Sequence, residues 1–116
     1  MKISRLGELV KVKPNMEGAE NIYKQVPISR DDGTPSFCFR VFTLEPGGHT
    51  PFHRHPFEHL NYIIRGSGTV LMEGGKECEV KEGEFVLVLP DEEHQYKNTS
   101  TSEPLLFICA VPNEYE

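Results

Sequence analysis

The segment GGHTPFHRHPFEHLNYIIRGSG, residues 47–68, holds four of the five histidines of a 116-residue chain between two glycine-rich ends. In an extended strand successive side chains face opposite sides. His53 and His55 therefore share one face about 7 Å apart along the chain, and Arg54 takes the other. Pro56 breaks that strand, and His59 opens the next one, HLNYIIR, which closes at Gly66-Ser67-Gly68. Two imidazoles so placed can share a metal, because nitrogen–metal bonds of about 2.0–2.1 Å bring neighbouring ligand atoms to about 3 Å. An H-x-H pair alone is weak evidence, since a strand histidine is ordinarily a surface or hydrogen-bonded residue. The joint placement carries the case. His94 lies 35 positions after His59, far enough for a hairpin and two strands to cross a sheet and return.

Outward from this segment the chain reads as all-β. Nine prolines and ten glycines punctuate short runs of β-branched and aromatic residues, with no sustained helical periodicity. Residues 36–44, SFCFRVFTL, form a strand that the turn Glu45-Pro46-Gly47-Gly48 ends; a short strand covers Phe52–His55. Thr69–Glu73 pairs with Lys76–Val80 across a two-residue Gly74-Gly75 turn. Phe85–Leu89 is a continuous apolar run between Gly83 and Pro90, the pattern of a strand buried on both faces. His94–Lys97 and Leu105–Val111 complete the set. Residues 1–35 supply loops and one edge strand near Ile22–Ile28, and 36–112 form the core of a single domain spanning 1–116. Short strands turning at this rate make a barrel or sandwich, whose edges must close or be covered.

Composition narrows the partners. Twelve basic against eighteen acidic side chains leave a net charge of -6 with neutral histidines. That balance disfavours nucleic acid and anionic membrane surfaces. The longest apolar run, Leu105–Val111, falls far short of the ~18 residues of a membrane span. Cys38, Cys78 and Cys109 are odd in number and unpaired in spacing, which points to a reducing, cytoplasmic compartment.

The spacing resembles the cupin family. Gly47, five residues, His53-x-His55, three residues, position 59, six residues and Gly66 reproduce its first motif, with His59 where glutamate is usual. Gly83, ten residues, His94, three residues and Asn98 resemble the second, although Pro90 sits one position late and Glu92 stands where glycine is common. The resemblance implies a double-stranded β-helix, or jelly roll, forming a closed barrel. It is nearest to small single-domain cupins whose site is four histidines: His53, His55, His59 and His94. It also implies a homodimer through edge strands, and manganese as the metal, with iron next. Ligand softness alone equally admits Zn, Ni or Cu.

Four neutral imidazoles leave the whole dication charge on the ion, giving a stronger Lewis acid than a site containing glutamate. Four ligands on an octahedral ion leave open positions, the usual mark of catalysis. The resemblance implies a dioxygenase or related oxidative enzyme acting on a small organic molecule. A metal-dependent isomerase or lyase, and a non-catalytic binding module for a small acid, are the alternatives. Around the site, Cys109 shares the inward face of the last strand and is a candidate pocket residue, with plain packing as its ordinary role. Glu58, Glu92 and Glu93 are expected to face solvent, and His49 to sit near the mouth as a non-ligand. Phe39, Phe42 and Tyr62 read as core. Asn98 is expected to fix a turn.

Overall fold

The computed structural model describes residues 1–116. Eight strands form it: β1 (Glu20–Ile28), β2 (Phe37–His49), β3 (His59–Arg65), β4 (Ser67–Met72), β5 (Glu77–Lys81), β6 (Phe85–Val88), β7 (His94–Lys97) and β8 (Leu105–Pro112). The antiparallel sheet runs β5-β4-β7-β2-β8-β3-β6, with β1 added on β2. Its two ends, β5 and β6, are consecutive in the chain, so the sheet must curl for one short turn to join them. That turn docks on β3. Ile63 exchanges two backbone hydrogen bonds with Gly83 and Glu84, and the Gly66 carbonyl accepts from Glu82. The all-β jelly-roll expectation holds, as a curled sheet whose ends are seamed by a turn rather than by a continuous ladder.

Inside the curl the alternation is regular. β8 buries Leu105, Phe107, Cys109 and Val111, and β2 buries Cys38, Phe42 and Leu44 on the same face, beside their ladder partners. These two strands pair over eight residues, from Phe37–Pro112 to Leu44–Leu105. Burying such side chains contributes about 1.5–3 kcal/mol each. The β2–β8 ladder is therefore the stiff wall against which the site is built. Asn98 acts as expected: Nδ2 donates to the Leu44 and Glu103 carbonyls, and Oδ1 accepts from the Ser100 amide.

Three turn and strand readings change. The 45–48 segment does not end β2, which stays extended to His49 with Gly47 at φ +79°. Beyond Leu44 the strand leaves β8 and reaches β7 through His49 and Lys97. The 52–55 strand reduces to one bridge, His53 to His94, because prolines at 51 and 56 each lack a ladder donor. The hairpin turn has three residues, Glu73–Gly75, with Leu71 opposite Glu77. One residue of register separates this from the two-residue turn, enough to exchange the faces of one strand against the other.

Phe85–Leu89 is buried on one face only. Phe85, Leu87 and Leu89 are 81%, 57% and 53% exposed, since β6 is an edge strand with nothing over its outer side. Phe39 and Tyr62, expected in the core, stand on that same outer face with Leu60, Phe85 and Leu87. Only Phe42 of the three is core.

Gly66 shows the tightest backbone approach. Its φ is +83°, and a Cβ there would collide with the Pro104 carbonyl oxygen and come within 3.3 Å of Leu105 Cα. Gly74 has a similar φ of +82° but open space around it. Gly74→Ala should thus cost about 1 kcal/mol from the left-handed conformation alone, and Gly66→Ala about 3 kcal/mol or more. Urea unfolding of the two variants measures the difference, and equal losses would show that the approach to Pro104 is not tight.

Candidate metal centre

His53 and His55 lie on the 50–58 connection, outside any strand, while His59 and His94 are the first residues of β3 and β7. The connection is pinned where it matters. His53 and His94 exchange backbone hydrogen bonds, His53 N to His94 O at 3.2 Å and His94 N to His53 O at 3.0 Å. Asp91 N also donates to the His55 carbonyl at 2.8 Å. These bonds set the two histidines of the connection opposite His94 across a cavity of about 70 Å³.

The ligand atoms of His53, His55 and His94 all lie within 4.8 Å of one another. Bonds of about 2.1 Å let one ion span ligand atoms up to about 4.2 Å apart, so the three close on it with small shifts. His55 Nδ1 donates to the Phe57 carbonyl at 2.7 Å, and His94 Nδ1 to the Glu92 carbonyl at 2.8 Å. With those protons placed, each ring turns the Nε2 lone pair inward. Both Nε2 atoms are buried and have no hydrogen-bond partner. A buried acceptor left unmatched is costly, and a divalent ion is the partner that this donor set fits.

His59 stands beside the trio in a different arrangement. Its ring centroid is 4.3 Å from that of His55 and 5.4 Å from that of His94. Its Nε2 is 3.3 Å from Arg40 Nη2 and accepts a hydrogen bond from it. His49 is apart from the cluster: its Nδ1 contacts the Thr50 carbonyl and Gln95, and its Nε2 lies 3.9 Å from Glu20. Arg54 points outward to Glu73 and Glu93, the side expected of it, although its segment forms no strand. Glu92 takes the Leu89 amide on its side chain and lends its backbone carbonyl to His94. Glu58 makes no hydrogen bond to the histidines; the Phe57 carbonyl does that work.

Arg40, Tyr96, Asn61 and Thr50 were not picked out from the sequence. Arg40 and Tyr96 line the cavity, and Asn61 Nδ2 donates to the Tyr96 hydroxyl at 2.6 Å. The Thr50 hydroxyl accepts from the Tyr96 amide. The signal for Arg40 was one charged residue inside SFCFRVFTL; for Asn61 it was sharing the parity of His59. Cys109 is fully buried, faces inward and accepts from Arg40 Nη2 at 3.1 Å, so it meets the cavity only through that guanidinium.

Burial holds the imidazoles neutral. His53 is lowered to about 4 by burial and then by His94 and His55. His59 is lowered to about 2 by burial and then by the Arg40 guanidinium. His55 and His94 shift the same way, again chiefly by burial. Each group binds its proton near pH 6.5 in the unfolded chain and at lower pH in the folded one. The unfolded state thus holds more protons below pH 6.5, and stability must fall as the solution is acidified. The melting temperature of metal-free protein should drop between pH 6.5 and 5, above the range where carboxylates titrate. Scanning calorimetry in chelator tests this; a flat profile over that interval would mean that the rings are hydrated.

The sequence profile of the cupin domain matches residues 40–111. An (R)-mandelonitrile lyase from Granulicella tundricola is 33% identical over 102 residues, which cover 88% of this chain and 78% of the lyase. Among solved structures, the polyketide cyclase RemF from Streptomyces resistomycificus superposes with a TM-score of 0.92 at 25% identity. The match covers 97% of this chain and 80% of the cyclase. A cupin 2 domain-containing protein from Halorhodospira halophila is 30% identical with a TM-score of 0.73, over 87% of this chain and 68% of that one. With its curled sheet, glycine spacing and inward histidines accounted for, the chain belongs to the cupin family.

Proposed function

We propose that the protein is a metal-dependent enzyme of non-redox carbonyl chemistry, a lyase or cyclase acting on a small organic substrate. His53, His55, His59 and His94 hold one divalent ion, manganese first and iron next. The observation that carries this reading is the donor set. Every candidate ligand is a neutral imidazole, two with orphaned, buried Nε2 atoms, and no acidic residue lines the cavity. A dication bound there keeps its full charge and supplies Lewis acidity to a substrate carbonyl oxygen. The same neutral surroundings, with Arg40 adjacent, disfavour a higher oxidation state. The names of two relatives, a mandelonitrile lyase and a polyketide cyclase, support bond-making and bond-breaking beside a carbonyl.

The chain's own residues complete the arrangement. The Phe57 and Glu92 carbonyls hold His55 and His94 in one tautomer and orientation. Phe42, Phe57 and Phe107 wall the cavity with apolar surface and exclude water. Phe57 stacks between His55 and Tyr115 with ring centroids 3.9 Å from each, which holds its ring against the cavity wall. Oxygenase chemistry is the second reading, favoured by those apolar walls, which suit an apolar gas. No helix is long and apolar enough to cross a membrane, and the cytoplasm remains the proposed location.

Purified protein loaded with Mn(II) should hold close to one equivalent. His53→Ala and His94→Ala should abolish that, while His59→Gln weakens affinity by about 10-fold or more; a stoichiometry of wild-type protein near zero would remove the metal reading. Under anaerobic conditions the loaded protein should release benzaldehyde from mandelonitrile. Turnover of a substrate panel only with oxygen uptake would select the oxygenase reading instead.

The homodimer is assigned to the bare outer face of β3 and β6, where Leu60, Phe85 and Leu87 are about half exposed or more. An apolar face beside an unpaired edge strand is a surface that soluble chains normally cover. β1 is already paired to β2 within the fold. Leu87→Lys should therefore convert a sedimenting dimer to monomer; a wild-type monomer at micromolar concentration would discard this assignment.

A further inference from the structure

Of the five arginines in the chain, three exposed ones are paired with carboxylates and the buried one is not. Arg30, Arg54 and Arg65, all more than half exposed, each have a carboxylate within 4.0 Å. Arg40 is only 9% exposed and has none. Its Nη2 reaches the Cys109 sulfur and His59 Nε2, its Nη1 reaches the Tyr115 carbonyl at 3.4 Å, and its Nε has no partner. Cys109 does not neutralise it, since burial raises that thiol and keeps it protonated. The face of Phe42, 5.0 Å from the guanidinium carbon, offers a cation–π contact but no counter-charge. Glu116, the carboxylate nearby along the C-terminal turn, accepts from the Arg30 amide and faces the Arg30 side chain.

A buried, unpaired charge is among the costliest features a fold can carry. Here it stands in a chain with six acidic residues in excess, none of which has a carboxylate within 4.0 Å of it. The guanidinium lines the same cavity as the histidines, and nothing acidic lines that cavity. We infer that Arg40 is the anion-recognition residue of this site: it binds the carboxylate head of a small organic acid whose body points to the mouth. A cavity of about 70 Å³ admits a head of a few atoms, roughly the space of two waters. With Nε unpartnered and Nη1 making only the long contact to Tyr115, the guanidinium keeps donors for charge-assisted hydrogen bonds to a carboxylate oxygen. A head bound there lies next to the histidines, so the substrate class becomes small carboxylates with a hydroxyl or carbonyl beside the acid group. This last step rests on the metal reading above; the anion site itself does not.

Calorimetric titration of mandelate and its neutral counterpart mandelamide tests the assignment on full-length protein, both Mn(II)-loaded and metal-free. Wild-type protein should prefer mandelate by about 10-fold or more, the worth of charged hydrogen bonds. Arg40→Gln and Arg40→Met should lose that preference while mandelamide affinity and manganese stoichiometry stay unchanged. Arg40→Lys should keep part of it. Arg40→Met removes the unpaired charge, so without ligand it should melt at or above the wild-type temperature. Mandelate should raise the melting temperature of the wild type alone. Equal affinity for the acid and the amide, or mandelate binding untouched by Arg40→Met, overturns the inference. Arg40-dependent mandelate binding in protein that takes up no manganese upholds it and removes only the metal reading.

Discussion

The pair of backbone hydrogen bonds between His53 and His94 is the contact on which the centre depends. Residues 50–58 carry two prolines, Pro51 and Pro56, and form no strand, yet two of the four clustered histidines sit on them. Left to itself, such a connection would sample many conformations, and ordering each residue costs about 1–2 kcal/mol of backbone entropy. The bridge to β7, with the Asp91–His55 and Tyr96–Thr50 bonds on either side, fixes the segment at three points along its length. β7 is itself held between β4 and β2. The site thus inherits its rigidity from the β2–β8 wall through β7, not from the loop that displays His53 and His55.

That route explains which parts of the molecule could be read from the sequence. His59, Asn61 and Ile63 alternate in a regular strand, and so do Leu105, Phe107, Cys109 and Val111; parity alone gives their direction. The glycine and histidine spacing carried the family and the cluster, because those residues answer to backbone geometry and donor chemistry at fixed offsets. The segment from Glu45 to His49 misled because Pro-Gly-Gly is ordinarily a turn. Here Gly47 lets an extended strand change partners without reversing. The hairpin slipped by one residue because Glu-Gly-Gly serves a three-residue loop as well as Gly-Gly serves a two-residue one.

Phe85–Leu89 was illegible for another reason. A continuous apolar run says that both faces avoid water, and it does not say what covers them. One face packs inside the curl through Val86 and Val88, and the other stands bare on an edge strand. Arg40 was hidden in the same way: it shares the parity of Cys38 and Phe42, but with apolar residues at both parities of SFCFRVFTL nothing marked which face turns inward. Only coordinates show that it lies within hydrogen-bond distance of a histidine and a thiol and beyond reach of every carboxylate.

The electrostatics of the cavity follow from these placements together. Imidazoles are held neutral by burial, and Arg40 adds to that effect at His59. Neutral rings are what a metal needs, so the guanidinium favours deprotonated ligands while opposing the arrival of a second positive charge. The two tendencies are reconciled only if negative charge enters with or after the ion. With a dication and Arg40 both in place, the cavity would carry three positive charges and no fixed negative one. An anion bridging the two would then gain from both at once, in surroundings where Coulomb interactions are several-fold stronger than in water. A neutral substrate would gain from the ion alone. The absence of a cavity carboxylate, which would make a bound dication a strong Lewis acid, is therefore the same feature that would favour negative charge at the site.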